Sequence, residues 1–169
     1  MRTLSWRHGR AWIADSPDEW PDTLHWTALT GERRHLHLPA GARGVAAAVA
    51  VQRACQTASG GSFFARLGGR LTPSPGDVLE VSIGVVDDPD VDLVLPTIVA
   101  GFEAMPAYDR PAGRLELSWM VIHPVDLKPW AWRNAAATLG RLLCDDVRGL
   151  DDAAASELAL GYTVGGLFG

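Results

Sequence analysis

The feature that most constrains the fold is a β-strand that ends directly before the best helix of the chain. Residues 115–122 are largely apolar, and His123-Pro124 ends this strand because proline cannot donate to a ladder. Asp126 is placed to cap the next helix, since its carboxylate can accept from the free N–H groups of the first turn. Pro129 suits that first turn. We therefore predict a strand, a tight turn and a long helix over residues 126–147.

Size and composition indicate one domain. The chain has 169 residues, of which 47% are apolar and 21% are charged, and this is enough to bury a single core. Within residues 1–169 we distinguish three parts: a tryptophan-rich β lead-in (1–44), a core (45–148), and a short helix with a tail (149–169).

Charge and the absence of targeting patterns narrow the function. The formal net charge is −5 and the cations are scattered along the sequence, which argues against broad nucleic-acid binding because such binding needs a basic face. No stretch approaches the roughly 20 apolar residues of a membrane span, and no secretory signal is visible, so we expect a cytoplasmic protein without membrane contact. Cys55 and Cys144 lack zinc spacing and are interpreted as buried free thiols. No cofactor is predicted.

The lead-in combines tryptophans with turn signals. Trp6, Trp12, Trp20 and Trp26 lie among turn-forming Asp, Pro and Ser residues, so we expect short strands that pack tryptophans onto the main sheet. In residues 34–38, period-2 alternation puts His35 and His37 on one face and two leucines on the other. A His-x-His pair can bind metal but needs a third ligand, so we interpret this pair as solvated edge histidines and predict no metal site.

After residue 44 the pattern predicts four strands and two helices. Residues 45–57 contain enough alanine for a helix, yet their valines also suit a strand, and both interpretations stay open. The other predicted elements are strands over 63–71, 78–84 and 114–122, a helix that has Pro96 in its first turn and ends near Pro106, and a terminal helix that starts at the acidic cap Asp151.

This order of elements carries motifs of a known family. Residues 55–63 form a Gln-Thr and Gly-rich hairpin, and Ile83-Gly84-Val85-Val86 is followed by the predicted helix sequence Val94-Leu95-Pro96-Thr97-Ile98-Val99-Ala100-Gly101-Phe102-Glu103. His123-Pro124-Val125-Asp126 then leads into Trp130-Ala131-Trp132. Over residues 45–148 the chain resembles domain IV of the ribosomal translocase elongation factor G. Two departures are that Leu127-Lys128 replaces the serine pair of that family and that the hairpin lacks its basic apex residue.

The resemblance implies a ribosomal protein S5 domain 2-like α+β fold, in which a four-stranded sheet has two helices packed on one face. The small β-rich N-terminal lead-in would be added to that core. In the family, the tip loops reach the decoding region of the ribosome. By resemblance, the tip loops here are residues 59–62 and 123–126. The predicted binding residues are Ser59, Gly60, Gly61, Ser62 and His123 in these loops, together with Lys128 and Trp130 directly after them. The sequence has no GxxxxGK[ST] motif, so we expect these residues to lack GTPase activity.

Two functional hypotheses follow. The first is a free-standing binding module whose strand-to-helix turn contacts a ribosomal or translation-related protein partner, with Arg53 and Arg66 in support if they lie on the same side. The alternative is a small cofactor-independent enzyme of the cyclase, isomerase or hydrolase type, with a small-molecule ligand. In that case His123 is the acid or base, Asp126 orients it, and His35 or His37 contributes if the lead-in folds over the tip.

A third hypothesis is a structural role. Phe63 and Phe64 are adjacent, so one of them must face away from the helices. Either the N-terminal tryptophan segment covers that face within one chain, or a second copy of the chain covers it in a homo-oligomer. The position of residues 1–40 separates these hypotheses. A lead-in that closes a pocket over His123 favours an enzyme, and one that covers the back of the sheet favours a binding module.

Overall fold

The computed structural model describes residues 1–22, 26–56, 62–86, 88–122 and 128–162. In these ranges the strands are β1 (Arg2–Trp6), β2 (Gly9–Ala14), β3 (Thr27–Ala28), β4 (Arg33–Pro39), β5 (Ala42–Arg43), β6 (Ala47–Gln56), β7 (Ser62–Pro73), β8 (Val78–Gly84) and β9 (Pro111–Val121). The helices are α1 (Pro89–Ala104), α2 (Pro129–Leu142), α3 (Asp145–Arg148) and α4 (Asp152–Gly161). None of the helices in the described ranges is long and apolar enough to cross a membrane.

The predicted four-stranded sheet with two helices is wrong. The described strands form one mixed sheet of nine, with the order β1-β2-β6-β7-β9-β8-β4, and β3 and β5 pair with β9 outside this path. The lead-in supplies the difference, because β2 pairs with β6 at one side and β4 pairs with β8 at the other. The physical reason is that a four-stranded sheet would leave its edge N–H and C=O groups unpaired, and the lead-in satisfies them.

The four strands predicted in the core are the contiguous centre of this sheet. β6, β7, β9 and β8 are neighbours in that order, and β8 runs parallel to β9 because α1 connects them. Within residues 45–57, for which both helix and strand are open, the structure has β6 over Ala47–Gln56. Its valines Val49 and Val51 join the main core, while Ala48 and Ala50 pack on the other face. Burial of both faces explains why the β-branched residues prevail over the alanines.

Both long helices pack on one face of the sheet, with boundaries that differ from the prediction. The predicted inward face of α2 is confirmed, because Trp132, Ala136 and Leu139 are fully buried. However, α2 begins at Pro129 with Lys128 as its N-cap, so the predicted start and cap at Asp126 are wrong, whereas Pro129 in the first turn is confirmed. The helix ends at Leu142, and a short α3 follows.

The first helix is longer at its start than the sequence suggested. Asp88 is its N-cap and accepts a hydrogen bond from Asp90 N at 2.9 Å, so Pro96 lies inside α1 and its predicted place in the first turn is wrong. Gly101 allows close packing of α1 on α2, since a Cβ there would meet the carbonyl oxygen of Arg133. The two helices therefore approach each other through small residues.

Ion pairs close the end of the sheet where β9 begins. Arg141 lies 3.4 Å from Asp109 and bonds to Asp146 as well, and the Tyr162 hydroxyl donates to the Asp109 carboxylate. This last bond anchors α4, whose predicted cap is confirmed because Asp151 accepts from Ala154 N at 2.8 Å. Burial raises the pKa of the Cys144 thiol in this cluster to about 12, so the prediction of a buried free thiol is confirmed for Cys144.

Tryptophans of the lead-in pack on the main sheet, as predicted, and two of them cover its back. Trp12 and Trp20 are buried there against Ala48 and Ala50 of β6. The Trp20 ring centroid lies 5.3 Å from that of Trp26 and 5.3 Å from that of Trp119 in β9. Offset and edge-on aromatic pairs add to simple burial. The lead-in therefore stabilises the sheet from behind.

Gly68 in β7 makes this tryptophan packing possible. A Cβ at this position would lie 2.9 Å and 3.0 Å from ring atoms of Trp20. We expect Gly68→Ala to lower the free energy of unfolding by about 1–3 kcal/mol, because the added methyl overpacks the cluster. Urea unfolding followed by tryptophan fluorescence measures this loss.

The matched control for that change is Gly149→Ala. Gly149 has φ −82° and a Cβ there meets nothing within 4 Å, so this variant should be as stable as the wild type or slightly more stable. Equal stability of the Gly68 and Gly149 variants would contradict the proposed role of the Trp20 contact.

Candidate functional site

Four stretches of the chain meet at the end of the sheet opposite the Arg141 ion pairs. The β1–β2 hairpin turns here, and its Gly9 pairs with Arg53 near the end of β6. Arg53 pairs in turn with Ala65 near the start of β7, and the Phe63 ring lies 4.4 Å from the Trp130 ring at the start of α2. We call this region the basic end, and it consists of residues 5–10, 52–56, 62–66 and 128–134.

The basic end concentrates positive charge in an acidic protein. Its stretches contain six Lys or Arg residues and no Asp or Glu, although the whole chain has a net charge of −5. The six are Arg7, Arg10, Arg53, Arg66, Lys128 and Arg133. Their stretches are far apart in sequence, and strand pairing together with the packing of α2 on β6 and β7 brings these stretches to one end of the sheet. The interpretation of the cations as scattered therefore holds for the sequence and not for the fold, and the local field favours an anion.

Arg53 is the most unusual of these cations. Its side chain projects to the helix-covered face and only 3% of the residue is exposed. Its Nε and Nη1 atoms are buried and find no acceptor among the described residues, and its guanidinium carbon lies 5.9 Å from the Phe63 ring centroid. Burial lowers the pKa of Arg53 to about 10, so the group still carries its charge at neutral pH. Buried charges are normally paired, but among the described residues these two nitrogens of Arg53 have no partner.

A strained histidine and a half-buried thiol flank Arg53. His8 has φ +61°, which is uncommon for a residue other than glycine, and Arg7 Nε donates to His8 Nε2 at 3.2 Å. The His8 ring stands edge-on to Phe63 with centroids 6.3 Å apart, and its Nε2 is 4.0 Å from Cys55 Sγ. Cys55 is half-buried, so the interpretation of both cysteines as buried is wrong for Cys55. These groups form the accessible rim around the buried guanidinium.

Arg66 occupies the other face of the same hairpin. Its Nε donates to Gln52 Oε1 at 3.0 Å, and its guanidinium lies 5.7 Å from the Trp26 ring and 5.2 Å from the Phe64 ring. Burial lowers the pKa of Arg66. Arg53 and Arg66 therefore do not lie on the same side, which was the condition for their joint support of the tip. The cause is the strand register, because Arg53 is opposite Ala65 and the neighbouring Arg66 points the other way.

The predicted binding residues fall into two groups. Ser62, Lys128 and Trp130 are described and lie at the basic end, with Lys128 exposed and Trp130 44% exposed. The others, Ser59, Gly60, Gly61 and His123, lie outside the described residues, and so does Asp126, the predicted partner of His123 in an enzyme. The interpretation as an enzyme with His123 as acid or base therefore stays a prediction.

The lead-in does not bring His35 and His37 over the basic end. Both lie on β4 at the far edge of the sheet, and His35 Nδ1 is 3.3 Å from Glu80 on the neighbouring strand. Their predicted common face is confirmed, since both are exposed while Leu36 and Leu38 pack on the core. Their proposed contribution to a catalytic tip is not supported by this placement.

No protein-family model matches the sequence, and no match is found among curated proteins. The resemblance to domain IV of elongation factor G thus depends on the motifs quoted above. The described geometry adds a separate observation to those motifs. It is a basic end with an exposed tryptophan and a buried arginine that lacks an acceptor among the described residues.

Arg53→Met tests the cost of the buried charge. In buffer free of multivalent anions at neutral pH, we expect the variant to gain about 1–3 kcal/mol in free energy of unfolding, because methionine fills similar space without a charge. The gain should shrink as the pH rises above about 10. There the folded wild type loses its Arg53 proton before the unfolded chain does, so its relative stability increases with pH. Urea unfolding of both proteins between pH 7 and pH 11 measures the difference, and a less stable variant at pH 7 would contradict this assignment.

Proposed function

We propose that this protein is a binding module that uses its basic end to contact the ribosome, as its resemblance to domain IV of elongation factor G suggests. This domain would not hydrolyse GTP itself, since the sequence carries no GxxxxGK[ST] motif. A ribosomal partner would place the protein in the cytoplasm. The observation that carries the proposal is the concentration of six cations without any Asp or Glu in the stretches of the basic end.

Charge supports an RNA-rich partner. A protein with a net charge of −5 is repelled by RNA overall, so attraction must come from a local patch. The basic end is such a patch, and the exposed Lys128 lies directly before α2 within it. A small patch of this kind fits a limited contact with rRNA and does not require broad nucleic-acid binding.

Exposed aromatic surface supports the same partner. Trp130 is 44% exposed, although its ring stands against Phe63, and both belong to the basic end. Aromatic faces stack on unpaired bases, and tryptophan is a frequent anchor at interfaces generally. Cations beside exposed aromatic rings are the usual composition of a surface that contacts single-stranded RNA.

The lead-in also favours a binding module. Residues 1–20 cover the back of the sheet with Trp12 and Trp20, and β1 and β2 extend the sheet beside β6. Of the described lead-in residues, those in the β1–β2 turn add Arg7 and His8 to the rim of the basic end, and Trp26 packs beside Arg66 on the other face. The exposed side chains of Lys128 and Trp130 stay accessible beside it.

The experiment is co-sedimentation of the purified protein with ribosomal subunits at low and moderate salt. We expect the wild type to sediment with subunits at low salt and to be released as salt rises, because counterion release weakens such contacts. Lys128→Glu and Trp130→Ala should each weaken binding about tenfold or more, as expected for a charge reversal and for loss of an aromatic anchor.

Tyr108→Ala is the matched control, because Tyr108 is 72% exposed but precedes β9, at the opposite end of the sheet. It should bind subunits as the wild type does. If the wild type fails to sediment at low salt, or if the Lys128 and Trp130 variants bind as well as the Tyr108 variant, the ribosomal role is wrong.

A further inference from the structure

We propose that Arg53 and Trp6 form a buried subsite at the basic end for the oxyanion head group, carboxylate or phosphate, of a small ligand. The subsite is independent of the ribosomal contact. It lies on the helix-covered face, and neither Lys128 nor Trp130 is needed to form its hydrogen bonds.

The strand register places the two side chains in one row. Trp6 pairs with Gly9, Gly9 pairs with Arg53, and Arg53 pairs with Ala65 across β1, β2, β6 and β7. Residues paired in this way share a face of the sheet. The next row inward is Leu4, Ala11, Val51 and Leu67, all of them fully buried in the main core, so this face is the one that the helices cover.

Glycine brings the indole of Trp6 towards Arg53. A Cβ at Gly9 would collide with Nε1 and adjoining ring atoms of Trp6, so the indole lies directly over Gly9. Gly9 is the cross-strand neighbour of Arg53. The indole N–H and the guanidinium therefore occupy adjacent positions of the same row. Only glycine leaves this space for the ring.

The subsite offers donors without acceptors. Trp6 Nε1, Arg53 Nε and Arg53 Nη1 are all buried, and none has an acceptor among the described residues. Each buried donor without a partner destabilises the fold, and a charged one does so most. An oxyanion satisfies several N–H donors at once and neutralises the guanidinium, whereas a cation or an apolar ligand does neither. The chemistry of the donors thus selects an anion.

The residues around Arg53 determine what kind of ligand body can be attached to the oxyanion head group. Phe63 and Cys55 are half-buried next to Arg53 on the same face, and the partly exposed Trp130 stands against Phe63. These rings present an apolar surface between the guanidinium and solvent. A ligand with an anionic head and a planar or apolar body fits this arrangement, because its body would pack on Phe63 and Trp130 while its head reaches Arg53.

Thermal unfolding with added anions tests the subsite. Sodium phosphate and sodium benzoate serve as probes, with sodium chloride at equal ionic strength as the reference. We expect the Tm of the wild type to rise progressively with phosphate, benzoate or both, because a ligand that binds only the folded state stabilises it by mass action. A rise with phosphate alone assigns a phosphoryl group, and a rise with benzoate alone assigns a carboxylate. No rise beyond that in chloride would overturn the proposal.

Three variants identify the residues responsible. Arg53→Met should abolish the rise, and Trp6→Phe should reduce it, because the ring is kept while the N–H is lost. Arg70→Met is the matched control, since Arg70 is an exposed arginine on the opposite face of β7, and it should keep the full rise. An undiminished rise in Arg53→Met would contradict the assignment.

Thiol labelling of the wild type decides the matter even if a variant does not fold. Cys55 is half-buried two residues from Arg53 on the same strand face, whereas Cys144 is buried, so native alkylation by iodoacetamide reports on Cys55. Anion binding should slow this alkylation severalfold compared with chloride. An unchanged rate at saturating phosphate and benzoate would refute the subsite. Failure here leaves the ribosome experiment unaffected, because that experiment depends on Lys128 and Trp130.

Discussion

The ladder between β6 and β7 determines where the core and the basic end lie. Ten cross-strand pairs run from Ala47 opposite Leu71 to Gln56 opposite Ser62. This register puts Val49 and Val51 under the helices and leaves Ala48 and Ala50 for the tryptophans of the lead-in. At the far end of the ladder the same alternation puts Arg53 under the helix layer. A slip of one residue would exchange the two faces and bury the wrong side chains everywhere, so core packing holds this register.

Local pattern accounts for what the sequence predicted correctly. The strands over 63–71, 78–84 and 114–122 alternate clearly, and α2 has apolar residues at helical spacing, so these elements are present close to their predicted positions. The lead-in was harder, because its short strands pair with β6, β8 and β9 and those partners are distant in sequence. Periodicity within a strand, such as that over residues 34–38, does not specify the partner of the strand, and the predicted sheet is therefore too small. The start of α2 was misplaced because two suitable capping signals, Asp126 and Pro129, lie three residues apart.

In the candidate site too, local sequence patterns predict some residues, whereas the position of others depends on the pairing of distant strands. Ser62, Lys128 and Trp130 are predicted binding residues, and they lie at the basic end. Arg53 and Arg66 are predicted to support the tip together only if they lie on the same side. The face that each side chain occupies depends on the hairpin register, and composition does not specify this register. The sequence does not reveal the role of the Trp6 indole N–H for a further reason. Only the three-strand row Trp6, Gly9 and Arg53 brings this donor beside the guanidinium, and each link of the row is a separate strand pairing.

Buried charges are paired at one end of the sheet, whereas at the other end Arg53 lacks a partner among the described residues. Where β9 begins, Arg141 is paired with Asp109 and Asp146, and the Tyr162 hydroxyl adds a further bond to Asp109. Such a network stabilises because each group has its counterpart. At the basic end Arg53 has none among the described residues, although the chain contains 20 acidic residues and only 15 basic ones. Acidic residues are therefore abundant in the sequence but absent from these stretches, and Arg53, which lacks an acceptor among the described residues, is the group to which we propose that an anion from solution binds.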